Sequence, residues 1–327
     1  MIKLSIIVPV YNLENYVANL LQSLSDISKN TDFEVILIDN ASTDKTVEVI
    51  EKFFSESDYP NKLLKLSSNV GMSEARNIGI KQAKNEWVHF IDGDDYLNAK
   101  EYQSLLLELS NHEESVDAVM FGYQSVDESG AVIPTGISAK YTQKMVRGDE
   151  IVSKIVQGQL SNYVWSFIFR KKIWLDHDID FPAGLTFEDI ATVYKFFQKA
   201  NKVLLSEKIV LNYVQRSDSI THVPTKKQVF DLNVVIGQIS KDDSLSFDMK
   251  TTWISVLRMV QYQLLILINE LKLYRNDGVF DKEKLEIIKI IKSRNISGLS
   301  GILKLKFILS KIGLYRFVYP IIVKRRR

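Results

Sequence analysis

The chain has 327 residues, of which 46% are hydrophobic and 25% are charged, and it contains no cysteine. These values are ordinary for a soluble globular protein with a large core, and they exclude disulfides and thiolate metal sites. A reducing cytosol is therefore the expected compartment. The opening residues, MIKLSIIVPVYN, form too short an apolar run for a signal peptide, and no uninterrupted apolar span of about 18 residues predicts a transmembrane helix.

Charge is distributed unevenly along the chain. The net charge is only +2, but the residues after Glu286 include eleven lysines and arginines and no carboxylate. The residues up to that point consequently carry a net charge of −9. The sequence therefore predicts an acidic body with a basic C-terminal end.

The first half of the chain alternates between strand and helix patterns. Apolar runs predict strands at residues 4–10, 33–38, 63–66 and 87–91, and helical spacing predicts intervening helices at residues 17–24, 47–53 (capped by residues 42–44) and 73–83. Such alternation is typical of parallel strands covered by helices on both faces. Asp39 and Asp92 each follow a strand, and ligands of open sheets bind at the carboxyl ends of strands. The sequence thus predicts an α/β fold in which these two carboxylates share a cleft.

The most informative local feature is an acidic cluster in the sequence FIDGDDYL. Asp92, Asp94 and Asp95 lie within four residues, so their charges repel one another unless a cation, a ligand or water compensates. Gly93 permits close backbone approach and a positive φ. Carboxylates at a strand end suit an ion of the Mg²⁺ type that also carries substrate phosphates. An acidic turn is the alternative interpretation.

The remaining sequence contains a second pair of carboxylates. Strands are expected within residues 117–123, 164–169 and 203–214, and helices prevail from residue 226 onward. Glu188 and Asp189 open a helix predicted at residues 190–200. Adjacent helical residues point about 100° apart, so only one of the two can aim at a given reactant. Alternatively, both simply stabilise the helix start.

Six segments in order carry a resemblance to a known family: SIIVPVYN, IDNASTD, NVGMSEARNIGI, FIDGDDYL, FEDI and YVQRSDSIT, from Ser5 to Thr221. Together they resemble bacterial family-2 glycosyltransferases of the GT-A fold. The resemblance implies a Rossmann-like, mostly parallel central sheet flanked by helices. It divides the chain into a nucleotide-sugar-binding and catalytic domain at residues 1–225 and a helical C-terminal region at residues 226–327.

The resemblance also implies an activity. The expected reaction is an inverting transfer of a sugar from a nucleotide-sugar donor, with uridine as the expected nucleotide, to a hydroxyl of a saccharide. The expected setting is the synthesis of capsule or exopolysaccharide, with Mn²⁺ or Mg²⁺ as the cofactor. No partner of the nucleic-acid class is expected, because the acidic body offers no broad basic face.

The donor side of the site is assigned by the same resemblance. The residues expected to bind the nucleotide sugar are Pro9, Tyr11, Asp39, Arg76, Asp92, Gly93 and Arg216. Asp39 would accept from the uracil N–H, since a carboxylate offers acceptors only, or it caps the turn that follows it. Arg76 would hydrogen-bond the base, or it is an exposed helical arginine. Asp92 is assigned to the ribose and Arg216 to the diphosphate, while Gly79 lets its helix approach the sheet.

The metal is assigned to Asp94. His222 is a further candidate ligand for metal or phosphate, although a lone histidine is also an ordinary loop residue. Asp95 is expected to be a structural hydrogen-bond acceptor.

The acceptor side is assigned to the second carboxylate pair. The resemblance makes Asp189 the base that deprotonates the acceptor hydroxyl and Glu188 the residue that orients the acceptor. The helix N-terminus is expected to keep a carboxylate ionised, as a base requires. Trp165 is placed near the acceptor pocket, with a core tryptophan as the alternative.

The basic end suggests a second kind of partner. In residues 300–327, lysines and arginines are interspersed with leucine, isoleucine and phenylalanine, a pattern that suits a helix lying on an anionic membrane surface. The acceptor would then be lipid-linked, and the protein would be peripheral at the inner face of the plasma membrane. The alternative is a C-terminal helix packed on the body or on another subunit of a homo-oligomer.

Rival functions lack their signatures. A sugar-phosphate nucleotidyltransferase or a dinucleotide-dependent oxidoreductase needs a glycine-rich loop after a strand, whereas residues 9–12 contain no glycine and no G-x-G-x-x-G motif follows a strand. A non-catalytic nucleotide-sugar-binding or scaffold subunit of a polysaccharide assembly complex is the remaining alternative. The presence of Asp92, Asp94 and Asp189 disfavours it.

Overall fold

The computed structural model describes residues 2–28, 32–134, 139–216 and 225–270, together with residues 305, 306, 308, 309 and 315. The chain divides into two compact units. The larger unit comprises Met1–Ile151, Ser161–Gly184 and Glu188–Arg216, and the smaller comprises Val152–Leu160, Leu185–Phe187 and Ser217–Arg327. Two short segments from the first 216 residues therefore group with the C-terminal region.

The larger unit is built on a single mixed sheet. Its strands are β1 (Leu4–Val10), β2 (Phe33–Asp39), β3 (Asn61–Lys65), β4 (Trp87–Phe90), β5 (Tyr96–Leu97), β6 (Ala118–Val126), β7 (Lys144–Arg147), β8 (Phe167–Arg170) and β9 (Lys202–Val214). In the described residues the order is β3-β2-β1-β4-β8-β6-β9-β5, with β7 also paired to β9. The first four strands pair in parallel, as the strand–helix alternation predicts. Beyond them, β8 pairs antiparallel with both β4 and β6.

Helices connect and cover the strands. They are α1 (Val17–Ser28), α2 (Thr46–Glu56), α3 (Met72–Gln82), α4 (Ala99–Asn111), α5 (Gly148–Val156), α6 (Lys171–Asp176), α7 (Glu188–Lys199), α8 (Lys226–Lys241) and α9 (Phe247–Glu270). Residues 164–166 form a turn of 3₁₀ helix instead of the expected strand, which begins only at Phe167. Hydrogen bonding explains this difference, because Ser166 donates through both its N–H and its hydroxyl to the carbonyl of Tyr163.

Helices occupy both faces of the parallel strands. Leu4, Ile6 and Val8 of β1 join the core cluster that includes residues of α1 and α4. Ile7 belongs to the opposite face, where a Cβ on Gly79 of α3 would lie 2.3 Å from its Cγ2 atom. The prediction that Gly79 lets its helix approach the sheet is therefore confirmed. This close contact sets the distance between α3 and the sheet, and with it the position of Arg76 above the sheet.

In the smaller unit, α8 and α9 pack against each other. Thr225 caps α8 reciprocally with Gln228, so two backbone N–H groups at the start of α8 have partners. The fully buried Gln261 of α9 donates to the carbonyl of Val229 at 2.9 Å and to the side chain of Asn233 at 3.0 Å. Over the part of the chain that the structure describes, no helix is both long and apolar enough to cross a bilayer.

Candidate active site

The acidic cluster lies directly after β4. A tight turn closes it, with the Asp95 N–H donating to the Asp92 carbonyl at 3.1 Å. A Cβ on Gly93 would lie 2.6 Å from Val10 Cγ1 and 2.8 Å from Leu13 Cδ1. Its φ is not positive, so of the two expected uses of this glycine the structure employs only the close approach.

Arg76 joins the two carboxylate motifs. Its side chain is only 4% exposed, and it donates through Nη2 to Asp92 Oδ1 and through Nη1 to Glu188 Oε1, each at 2.7 Å. Nη1 also lies 3.8 Å from Asp189 Oδ1. Burial by itself would lower the pKa of Arg76, but the three carboxylates raise this pKa well above its usual range. A single buried cation therefore organises residues that are 112 positions apart in the chain.

Asp189 has weaker charge compensation than its neighbours. Its Oδ2 accepts from the Val164 N–H at 3.1 Å, whereas its Oδ1 is enclosed and has no hydrogen-bond partner in the described part of the chain. Burial raises the pKa of Asp189 from 3.8 to about 7; Arg76 opposes this shift, and Glu188 and Asp92 add to it. Burial thus opposes the expected ionisation of this carboxylate, because it disfavours the charged form. Such a pKa suits a group that accepts a proton near neutral pH.

The other end of the acidic cluster meets Arg216, directly after β9. Arg216 Nε lies 3.0 Å from Asp94 Oδ2, and the guanidinium carbon lies 4.9 Å from the ring centroid of Tyr16. Asp95 is completely buried and accepts from the Val214 N–H at 2.9 Å, which confirms its structural role. Burial, together with Asp94 and Asp92, raises the pKa of Asp95 well above its usual range. Asp95 thus ties the end of β9, and with it Arg216, to the acidic cluster.

A divalent cation would fit this site if the protein and the substrate supplied its ligands together. No group of three or more histidine, cysteine or carboxylate side chains suited to a metal occurs among the described residues. Asp94 is partly exposed and already faces a positive charge, that of Arg216. Ions of the Mg²⁺ type need only one or two protein carboxylates when phosphates and water complete the shell. The donor set therefore fits a metal held jointly by Asp94 and a diphosphate, while His222 lies outside the described residues.

Asp39 is the last residue of β2, and its side chain stabilises the turn that follows this strand. It is almost fully buried, and its Oδ1 accepts from the Ser42 N–H at 3.1 Å. Pro9 is buried in β1 in register with Ile38, whereas Tyr11 lies exposed in the following loop. The structure thus gives Asp39 its predicted turn-capping contact, and the contacts of these residues with a base remain predictions.

Two asparagines in the same loops were missed by sequence reasoning. Asn40 is buried, accepts from the Val70 N–H at 2.8 Å and donates to Asn69 Oδ1 at 2.9 Å. Asn12 adopts a φ of 51° and accepts from the Thr43 N–H at 2.8 Å. In the sequence, the residue type itself indicates such a role, because asparagine favours both positive φ and side-chain hydrogen bonds to nearby backbone. These bonds fix the loops that follow β1 and β2.

Trp165 belongs to an aromatic core cluster. It is 3% exposed, stacks on Tyr163 with ring centroids 4.7 Å apart and packs edge-on against Tyr123 at 4.7 Å. Of the two alternatives for this residue, the structure supports the core tryptophan, because little of the ring is left to face a sugar. The neighbouring Tyr163 and Tyr213 are half-buried, and sequence reasoning missed them.

A buried histidine supports the turn that holds Asp189. His89 of β4 contacts the Tyr102 hydroxyl through Nδ1 at 2.9 Å and the Trp165 carbonyl through Nε2 at 3.0 Å. Burial lowers the pKa of His89 to about 4, so at neutral pH it is uncharged and its Nε2–H donates to that carbonyl. The same turn supplies the Val164 N–H to Asp189.

Comparison with known proteins shows a family and a fold to which the chain is similar. The sequence model of Glycosyl transferase family 2 matches residues 5–174. Poly(ribitol-phosphate) beta-N-acetylglucosaminyltransferase TarS of Staphylococcus aureus (strain Mu50) is 32% identical over 214 residues, which are 64% of this chain and 35% of TarS. The uncharacterized glycosyltransferase EpsJ of Bacillus subtilis (strain 168) is 27% identical over 223 residues, which are 68% of this chain and 64% of EpsJ. The chain therefore matches about a third of TarS and slightly under two thirds of EpsJ.

Solved structures share the fold over nearly the whole chain. The crystal structure of S. aureus TarS 1-349 in complex with UDP-GlcNAc has a TM-score of 0.63 at 23% identity, covering 98% of this chain and 91% of that one. The mannosyltransferase PcManGT from Pyrobaculum calidifontis, in complex with GDP-Man and Mn²⁺, has a TM-score of 0.57 at 13% identity, covering 95% and 86%. These similarities confirm the expected GT-A fold.

Proposed function

The chain belongs to glycosyl transferase family 2, and from that premise we propose that it transfers a sugar from a UDP-linked donor to a hydroxyl of a saccharide acceptor, with inversion. The observation that carries the proposal is the position of Arg76, which brings the acidic cluster after β4 and the carboxylate pair of α7 into one site. The choice of uridine is supported by the relative TarS, whose structure was determined with UDP-GlcNAc.

The donor half of the proposed mechanism uses the acidic cluster. Asp92 binds the ribose, and Asp94 and Arg216 face the diphosphate. Mn²⁺ or Mg²⁺, held by Asp94 and the diphosphate, would neutralise the charge that develops on the leaving UDP. The Mn²⁺ in the PcManGT complex supports a metal of this kind. Arg216 contributes a fixed positive charge at the same place.

The acceptor half uses Asp189. Its carboxylate takes the proton of the acceptor hydroxyl while the oxygen attacks the anomeric carbon on the face opposite the UDP leaving group. With one base and no evident enzymatic nucleophile among the described residues, the proposed reaction is a single displacement, and hence inverts the configuration. Glu188 holds Arg76 at 2.7 Å, which orients the cation beside the base. The raised pKa of Asp189 makes its proton affinity suitable near neutral pH.

Donor screening tests this proposal. The purified chain with Mn²⁺ is expected to show a raised melting temperature with UDP-GlcNAc or another UDP-sugar, and none with NAD. It is also expected to release UDP slowly, because water can replace the acceptor. Binding without any UDP release, with or without saccharide, would favour the non-catalytic alternative. The absence of any shift with UDP or UDP-sugars would overturn the proposal.

The acceptor is proposed to be a lipid-linked saccharide of cell-surface polysaccharide synthesis, met at the inner face of the plasma membrane through residues 300–327. The support is the uneven charge of the chain, together with exposed Leu305 and Ile308 in the basic end. Tyr315 is buried and accepts from Gln263 of α9 at 2.7 Å, so this residue packs against α9 within the smaller unit.

Vesicle flotation tests the membrane proposal. With vesicles containing anionic phosphatidylglycerol, replacement of Lys324–Arg327 by glutamine is expected to reduce recovery, because each basic residue near such a surface contributes about 1 kcal/mol. Neutral phosphatidylcholine vesicles provide the control. Equal recovery of the variant and the unaltered chain on both surfaces would refute the membrane contact and leave packing or homo-oligomer formation for the basic end.

A further inference from the structure

The segment directly before α7 is held by hydrogen bonds from Thr186 to α8. Leu185–Phe187 belongs to the smaller unit, and the next residue, Glu188, begins α7. Within that unit, Thr186 donates to Asp231 of α8 twice: its N–H lies 2.9 Å from Asp231 Oδ2, and its hydroxyl donates to the same oxygen. Thr186 precedes Asp189 by three residues in the chain. The position of Thr186 therefore restricts the positions that the Asp189 carboxylate can take.

Asp231 is itself fixed on α8. It is 8% exposed, and Lys227, one turn earlier, also donates to its Oδ2. Burial tends to raise the pKa of Asp231, but the hydrogen bonds from Lys227 and Thr186 lower it overall, so the group is a carboxylate at neutral pH. A buried charge with several donors is costly to displace, because removal of one partner leaves the others uncompensated.

The register of α8 is fixed in turn by α9. Gln261 and Arg258 of α9 both hydrogen-bond Asn233 Oδ1, at 3.0 and 2.6 Å, and Gln261 also bonds the carbonyl of Val229. Asp231 lies between these two α8 residues in the sequence. The helical pair therefore holds the Asp231 carboxylate at a defined place for Thr186.

From this chain of contacts we propose that Asp231 is a positioning residue for the carboxylate pair of α7. It acts through Thr186 and does not touch the substrate. The proposal rests on the proposed function of Asp189 as the base. It gives the helical C-terminal unit a specific part in catalysis, because Thr186, which is hydrogen-bonded to α8, precedes Asp189 by three residues in the chain.

The kinetic test uses UDP release from UDP-GlcNAc by the full chain with Mn²⁺. Asp231→Ala is expected to lower kcat by about ten- to a hundredfold, since small misplacements of reacting groups have effects of that size, with UDP affinity unchanged within about twofold. Thr186→Val is expected to act in the same direction, and Thr186→Ser, which keeps the hydroxyl, to restore the rate. Asp248→Ala, which removes an exposed carboxylate of the same unit, is the matched control.

A double-mutant cycle separates positioning from general damage. In an Asp189→Asn background, Asp231→Ala is expected to lower the residual rate by less than about twofold, because its effect passes through the base. An equal loss in both backgrounds, an unchanged kcat in Asp231→Ala, or a parallel loss of UDP affinity would overturn the inference.

Amide hydrogen exchange provides a readout that needs no activity. In Asp231→Ala, amides of residues 185–190 are expected to exchange faster, while those in β1 keep their protection. Unchanged exchange at residues 185–190 would overturn the positioning role even if the chain proved inactive. Conversely, faster exchange in a chain that binds no UDP would support the positioning and refute the proposed function.

Discussion

The two carboxylate groups of the site balance their charges in different ways. In the acidic cluster, Asp92 meets a guanidinium at 2.7 Å, Asp94 meets another at 3.0 Å, and Asp95 is a buried structural acceptor. On α7, Glu188 takes the close contact with Arg76, and Asp189 is left 3.8 Å from the same nitrogen. In the proposed reaction, this difference would separate donor binding from proton transfer. Carboxylates that face cations suit a metal and a nucleotide, whereas a buried carboxylate with a distant cation has a pKa that suits a base.

The largest effect is expected from removing the base. Asp189→Asn keeps an oxygen for the Val164 N–H but cannot take a proton, so transfer should fall about a thousandfold, within the range of general-base catalysis. UDP affinity, measured by calorimetry, should not change. Asp176→Asn, on the exposed surface of α6, is the matched control. Unchanged turnover in Asp189→Asn would mean that the two groups do not differ in the way described.

Loss of the shared cation should affect both groups. Arg76→Met leaves Asp92, Glu188 and Asp189 without their common partner, and breaking a buried ion pair in this way costs about 3–5 kcal/mol. Urea unfolding measures the change in the free energy of unfolding. Arg76→Lys, which keeps the charge but loses the two-pronged geometry, should be less destabilised. A variant as stable as the parent would show that the pairing contributes little.

The close approach of α3 to the sheet is expected to have a smaller effect. The Cβ of Gly79→Ala would lie 2.3 Å from Ile7 Cγ2 and 2.9 Å from Ile38 Cδ1, and such overpacking costs about 1–3 kcal/mol. Gly237→Ala on α8 is the matched control, because its Cβ would have no neighbour within 4 Å, and it should stabilise by about 0.5–1 kcal/mol. Thermal unfolding of both variants measures the contrast, and equal changes would argue against the close contact.

The pH dependence of sugar transfer tests the proposed role of Asp189 as the base. Because the pKa of Asp189 is about 7, kcat should rise about tenfold between pH 6 and pH 8 as the base loses its proton. Arg76 lowers this pKa, so in a folded Arg76→Lys variant, where the cation is held less well, the profile should move towards higher pH. A profile that is flat from pH 5 to pH 8 would contradict the proposed base.

The smallest expected effect is the change in stability at pH 8 when Asp189 is replaced. The pKa of Asp189 is raised in the folded state from its ordinary 3.8 to about 7, so the folded chain binds the extra proton between these values. The stability associated with this proton is present below pH 3.8 and is lost as the pH rises through 7. At pH 8, Asp189→Asn should therefore unfold with a free energy higher by about 1 kcal/mol. Equal stability of variant and parent at pH 8 would show that the ionised carboxylate is not strained.

Features that depend on neighbours in the chain can be predicted from the sequence. Strand and helix periodicity predicts the order β1 to α3, and residue type in its local context predicts the contact role of Gly79 and the structural role of Asp95. These features follow from local backbone geometry and from the chemistry of single residue types, which sequence patterns record directly.

The compensation of the charges depends on the packing of distant segments. Packing pairs Arg76 with Glu188 across 112 residues, buries Trp165 in the core, raises the pKa of Asp189 through burial and joins Thr186 to Asp231. The physical reason is that burial and hydrogen bonding between distant segments set the local dielectric and the distances between charges. Sequence patterns record neither the local dielectric nor the distances between charges. Both are set only when the segments pack together.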